Sequence, residues 1–163
     1  MFLLDSDSAV HRYLGNKPIK ELADSHATIE YVQRQYETNG IGRWAMTDRQ
    51  TGDFIGWAGL KYEISALDDR YYYDLGYRMR PLYWGKGLAT EASRVWLHYG
   101  FETMQLAAIG ASAHTDNKAS NRILSKLGFE LFATYRYEGM PCNCYRLPQA
   151  AWRDGQGQAP PVG

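Results

Sequence analysis

Tyr73-Asp74-Leu75-Gly76-Tyr77-Arg78-Met79-Arg80-Pro81-Leu82-Tyr83-Trp84-Gly85-Lys86-Gly87-Leu88-Ala89-Thr90-Glu91-Ala92 is the stretch on which the fold turns. Aromatic, β-prone residues from Tyr71 to Met79 read as a strand, which Pro81 stops because proline has no N–H for a ladder. From Gly87 to about Tyr99 the period changes. Leu88, Ala92, Val95, Trp96 and Tyr99 recur at three and four and predict a helix with one buried stripe. Two glycines therefore stand where a strand passes into a helix. The first N–H groups of a helix lack internal partners and point along the positive end of its dipole. Glycine lets a phosphate approach that backbone closely. A diphosphate is expected over Gly85 to Thr90. Alone, Gly-x-Gly at a helix start fits an ordinary tight turn or another nucleotide site as well. It is not a P-loop, which needs Gly-Lys-Ser/Thr. Nor is it Gly-x-Gly-x-x-Gly, whose third glycine would fall at Thr90.

Outward from this stretch the elements alternate. Residues 1–14 read as helical, and Asp24-Ser25-His26 opens a helix to about Thr38 with Ile29, Val32 and Tyr36 on one face. Arg43 to Thr47 and Phe54 to Tyr62 form a hairpin around a turn at Asp48 to Gly52. Ile64 to Arg70 is a polar loop. Downstream, Leu106 to Ala113 reads as a small-residue strand. Asn117 to Leu127 is a helix with Ile123, Leu124 and Leu127 inward and Gly128 at its stop. Strands follow near residues 129–137 and 144–147, and the Gly-, Gln- and Pro-rich end from Arg153 is expected to be disordered. The order implies one α/β (α+β) domain over residues 1–152, with a tail at 153–163.

Composition narrows the function. The 163 residues carry 18 Lys and Arg against 18 Asp and Glu, which argues against a nucleic-acid partner. No apolar run approaches the roughly 20 residues of a membrane span, and Met1-Phe2-Leu3-Leu4-Asp5 lacks the flank of a signal peptide, so a cytoplasmic location and no membrane partner are expected. Cys142 and Cys144 are too close for an unstrained disulfide and too few for a metal site, so two free thiols and no metal are expected.

Tyr83-Trp84-Gly85-Lys86-Gly87-Leu88-Ala89-Thr90-Glu91-Ala92 resembles the pyrophosphate-binding signature of GNAT acetyltransferases. It is most similar to the Rim-type branch of ribosomal-protein N-terminal acetyltransferases. Asn117-Lys118-Ala119-Ser120-Asn121-Arg122 through Gly128-Phe129 resembles that branch's second element. Asp5-Ser6-Asp7 and Val10 to Gly15 match its early segment, so the likeness runs from about residue 3 to 147. It implies a mixed, mostly antiparallel, twisted sheet with a splayed strand pair and flanking helices. It also implies an extended first strand before Asp5. The chain starts at Met1, so that strand is expected to be missing, either through truncation, the preferred reading, or with another chain or loop covering the exposed edge.

What the resemblance implies about chemistry is direct transfer from acetyl-CoA to an amine in a ternary complex, without an acyl-enzyme. The acceptor would be a small-molecule amine or a peptide or protein N-terminus. Donor contacts are expected from Tyr77, Met79, Arg80, Trp84, Gly85, Lys86, Gly87, Leu88, Ala89, Thr90, Asn117, Ser120 and Arg122. The Met79 N–H would polarise the thioester carbonyl. Asn117 would hold the pantetheine arm or act as a helix N-cap, two compatible roles. Ser120 would give a hydrogen bond or proton to the departing thiolate, or rest as a first-turn serine. Arg122 or Lys126 would meet the 3′-phosphate or stand solvated.

Two positions depart from the family. Leu82 stands three residues before the first motif glycine, where Gln or Arg is common. Leu124 replaces the tyrosine acid expected seven residues after Asn117, which also admits a non-catalytic acyl-CoA sensor. For the carboxylate that deprotonates the amine, Asp74 comes first, although strand parity sets it on the face opposite Met79 unless a bulge intervenes. Glu63, Glu138 and Tyr135 are the reserves, and His114 reads more readily as structural. Tyr71-Tyr72-Tyr73 fits an acceptor cleft or a dimer contact, so a homodimer stays open.

Overall fold

The computed structural model describes residues 1–68 and 70–156. Helices α1 (Phe2–Asp5), α2 (Ser8–His11) and α3 (Leu22–Asn39) precede a hairpin of β1 (Trp44–Thr47) and β2 (Phe54–Ile64). The hairpin turn is closed by the Asp48 carboxylate, which accepts from the N–H groups of Gln50 and Thr51 at 2.8 and 3.0 Å. β3 (Tyr71–Met79), a 3₁₀ turn at Pro81–Tyr83 and α4 (Leu88–His98) follow, and α4 runs into a π-turn at Tyr99–Thr103. β4 (Ala108–His114), α5 (Lys118–Lys126), β5 (Glu130–Tyr137), β6 (Met140–Pro148) and α6 (Gln149–Gln156) complete the described chain.

The six strands form one sheet in the order β1-β2-β3-β4-β6-β5, antiparallel except where β3 meets β4. β2 and β3 pair without a break from Gly56↔Met79 to Ile64↔Tyr71. β3 and β4 share only the register pair Asp74↔Gly110 among the described residues. Beyond that apex the two parallel strands part. The expected splayed pair is there, and it opens towards the strand ends that carry α4 and α5.

Side chains alternate across β3. Leu75 faces the main core, where Leu60, Leu97, Phe101 and Ile109 are fully buried, and Met79 on the same face packs in a smaller cluster with Ile55 and Tyr83. Each such side chain contributes about 1.5–3 kcal/mol. Tyr72, Asp74, Gly76 and Arg78 face the other side. There Asp5 of α1, 3% exposed, accepts from the Arg78 guanidinium at 2.6 Å and pins the N-terminal helices to the sheet.

Three expectations are corrected. The α4 stripe is rotated: Ser93 and Leu97 are fully buried, whereas Val95 is 64% and Tyr99 41% exposed. A small serine lets the helix approach the sheet closely, which hydrophobicity alone does not reveal. Ile29 of α3 is exposed, and Tyr36 ties that helix down instead by donating to the Arg43 carbonyl at 2.7 Å. At the other end, α6 carries helix through Gln156, four residues into the segment expected to be disordered; residues 157–163 lie outside the described residues.

Candidate active site

The turn from β3 into α4 is built to expose N–H groups. Gly85 and Gly87 adopt left-handed φ of 72° and 81°, with Gly87 as the α4 N-cap. The first α4 ladder bond runs from the Glu91 N–H to the Gly87 carbonyl at 3.0 Å. Among the described residues, no backbone carbonyl accepts from the N–H groups of Gly85 to Thr90. A Cβ added at Gly85 or Gly87 meets nothing within 4 Å, so open space lies over both. A diphosphate fits this cradle. Trp84 braces it from below by donating its Nε1–H to the Met79 carbonyl at 2.7 Å. Arg80 is turned away, donating to the Phe54 carbonyl at 3.1 Å, and the Lys86 ammonium lies 5.3 Å over the Tyr83 ring. Leu82 is 67% exposed.

Beside the cradle, the gap between β3 and β4 has its own donors. The Arg80 N–H bonds across to the Ile55 carbonyl at 2.9 Å. Antiparallel alternation then turns the Met79 and Tyr77 N–H groups away from β2, towards β4, which does not pair there. Opposite them lies the first turn of α5, where the Asn117 side chain accepts from the Ser120 N–H at 3.1 Å as an N-cap. The Tyr77 hydroxyl reaches the Ser120 carbonyl at 3.5 Å, and burial pushes its pKa up to about 12, so it stays a phenol. Leu124 is 2% exposed and packs in the core. Arg122 and Lys126 are exposed.

Asn121, not singled out in the sequence, fixes this turn. Its amide donates to the carbonyls of Asn117, His114 and Thr115 at 2.7, 2.9 and 3.4 Å. Its Oδ1 accepts from the Tyr145 hydroxyl at 2.6 Å and the Asn143 amide at 2.9 Å. Its place directly after the Asn117-x-x-Ser120 segment was the only signal available.

On the other face, Asp74 lies at the apex of the splay. β3 carries no bulge, so Asp74 and Met79 do point to opposite faces. The donor gap, however, is served by backbone groups in the plane of the sheet, so this parity is no obstacle. Asp74 is ion-paired with Arg43 and accepts from the Tyr72 hydroxyl at 3.4 Å. Burial raises its pKa above the ordinary carboxylate range, against the charges of Arg43 and Lys61. Two glycines make this arrangement possible. A side chain at Gly76 would collide with the Arg43 guanidinium, and a Cβ at Gly110 would lie 2.6 Å from the Tyr72 ring.

Of the reserves, Glu63 pairs with Lys61, Glu138 sits exposed in the β5–β6 turn with φ 48°, and Tyr135 donates to the Ser112 hydroxyl at 3.0 Å. His114 packs at a tilt against Tyr13, ring centroids 5.4 Å apart, and accepts from the Asp116 N–H at 3.1 Å, both structural contacts. Tyr71 and Tyr73 pack on Tyr62 on the far face, so only Tyr72 turns towards Asp74. Cys144 lies near Asp74, whose charge adds to burial in raising its pKa, so it stays a thiol. Among the described residues no group of His, Cys, Asp and Glu is placed to hold a metal ion, and no helix is long and apolar enough to cross a membrane.

The acetyltransferase (GNAT) domain family matches residues 1–130. This chain belongs to the GNAT acetyltransferases. Among curated GNAT relatives, the uncharacterized N-acetyltransferase YoaA of Bacillus subtilis is 32% identical over 130 residues, 80% of this chain and 72% of that protein. Two solved acetyltransferase structures share the fold at lower identity. Ribosomal-protein-S5-alanine acetyltransferase of Vibrio fischeri superposes with TM-score 0.68 at 17% identity. Spermidine N-acetyltransferase of Vibrio cholerae, in complex with CoA and spermine, superposes with TM-score 0.71 at 17% identity. Each match covers 93% of this chain and 89% of the other. A ribosomal-protein acetyltransferase and a spermidine acetyltransferase thus both match this backbone, and the fold alone does not narrow the branch or the acceptor.

Proposed function

We propose that this GNAT protein transfers the acetyl group of acetyl-CoA directly to a primary amine, either a small molecule or a peptide N-terminus. The observation that carries this reading is the splayed β3–β4 pair, with a cradle of unpaired N–H groups at its mouth and unpaired N–H groups along one arm. The diphosphate rests on Gly85 to Thr90. The pantetheine arm lies against Met79 and Tyr77, whose N–H groups polarise the thioester carbonyl. Asn117 and Ser120 close the opposite side, with the Ser120 hydroxyl protonating the departing thiolate. Leu124 takes no part. Asp74 is the final acceptor of the amine proton. The Asn-x-x-Ser segment supports a Rim-like peptide acceptor, and the capped turn it forms fits that reading.

The test is release of free thiol from acetyl-CoA over a panel of amino acids, alanyl peptides, polyamines and aminoglycosides. At least one amine is expected to react, and Ser120→Ala is expected to lower its kcat by about 100-fold. Tight coenzyme A binding without turnover on any amine would instead mark a sensor.

A further inference from the structure

Two arginines on the face of the sheet opposite the core share one aromatic ring. The Arg43 and Arg78 guanidinium carbons lie over the Trp57 ring of β2, 4.8 and 5.1 Å from its centre. Two like charges can meet there because each has a carboxylate of its own. Arg78 donates to Asp5 of α1 at 2.6 Å, and Arg43 donates to Asp74. Missing side chains make room for Arg43. A Cβ at Gly59 would lie 3.0 Å from the Arg43 Cα, and one at Gly76 would collide with the guanidinium itself. Its Nε is buried and has no hydrogen-bond partner among the described residues. The head group is therefore fixed by Asp74 at one nitrogen and by the Trp57 ring against its plane. A planar, weakly hydrated guanidinium suits such a seat.

We propose that Trp57 is a positioning residue for acetyl transfer: its ring holds the Arg43 guanidinium against Asp74 and keeps that carboxylate charged to take the acceptor's proton. This rests on the reading of Asp74 as the final proton acceptor. Burial favours the protonated form of Asp74, and the opposite charge of Arg43 is the largest influence working against it. The other groups around Asp74 are Lys61 across β2, the Tyr72 hydroxyl and, from β6 and β5, Cys144 and Tyr135. Lys61 is itself paired with Glu63 and lies over Tyr31 of α3. Among these neighbours of Asp74, Arg43 is the one seated on Trp57. Through Arg78 and Asp5 the same ring also ties α1 to the apex of the splay.

The test is the pH dependence of kcat/KM for the best amine of the thiol-release panel, taken as the ratio of variant to wild type. The amine's own titration is common to both and cancels. A displaced Arg43 raises the proton affinity of Asp74, so the ratio should be low in acid and climb as pH rises. For Trp57→Leu the expected ratio is about 0.1 at about pH 6 and about 1 at about pH 9. Trp57→Phe keeps a ring face and should stay within about twofold of wild type throughout. Trp57→Leu combined with Arg43→Gln should move the profile no further than Arg43→Gln alone. A ratio flat across pH, at whatever level, would overturn the proposal, as would additive shifts in the double variant or an equal shift in Trp57→Phe. Should Trp57→Leu fold poorly, Trp57→Met, unbranched and able to fill an irregular gap, takes its place. Asp74→Asn is measured beside them. Undiminished turnover there would remove Asp74 from the reaction and this proposal with it, while the acetyltransferase reading stands. A wild-type protein that acetylates no amine would refute both.

Discussion

His11 is 7% exposed, and neither ring nitrogen has a hydrogen-bond partner. Burial lowers its pKa below 6.5; the Arg78 charge adds to this, while the charges of Asp5 and Asp7 oppose it. A lowered imidazole pKa means that the unfolded chain binds the proton first. The neutral form's full contribution is therefore present above the unfolded pKa of about 6.5 and is lost as pH falls from there to the folded value. Thermal melts across that window should show Tm falling with pH in the wild type and a flatter profile in His11→Leu. Parallel profiles would mean that other groups set the acid sensitivity. The same neighbourhood shows what a sequence hides. His11 and Asp5 stood in a matched motif, yet only the fold brings Arg78 onto Asp5 from 73 residues away.

At the scale of elements, the strand-to-helix turn was readable because it is local. A β-prone run, a proline stop and two glycines dictate it, and the glycines do take left-handed φ. The β1–β2 hairpin and the inward face of α5 were readable for the same reason, since period and turn residues lie within a few positions of each other. What was not legible depends on partners distant in sequence. The face α4 buries is chosen by the space above the sheet, and the Gly76 and Gly110 sites make sense only with Arg43 and Tyr72 beside them. Asn121 is of this kind. Asn121→Ala strips one acceptor from Asn143 and Tyr145 together and frees three carbonyls at the α5 start. A loss of about 3 kcal/mol in denaturant unfolding is expected, together with weaker coenzyme A binding, because the Asn117–Ser120 turn loses its anchor. Unchanged stability would show that water replaces the network.

Over the whole molecule, one sheet serves two tasks by parting between β3 and β4. Its ladder continues on both sides, β2–β3 and β4–β6, so the gap lies in the middle of a rigid scaffold and not at an edge. One end of the gap meets the α4 cradle, and the apex meets Asp74 with its two glycine-seated partners. The family was legible because its signature lies in consecutive residues; the acceptor was not, because one fold serves unlike amines. The central claim is that main-chain N–H groups from Gly85 to Thr90 carry the donor's diphosphate. Calorimetric titration with coenzyme A tests it most directly, comparing wild type with Gly87→Asp and with Gly87→Asn, whose side chain tolerates a left-handed φ without adding charge. The account predicts wild-type binding, little change for Gly87→Asn and a loss of at least about tenfold for Gly87→Asp. Equal affinity in all three would place the phosphates elsewhere and contradict it.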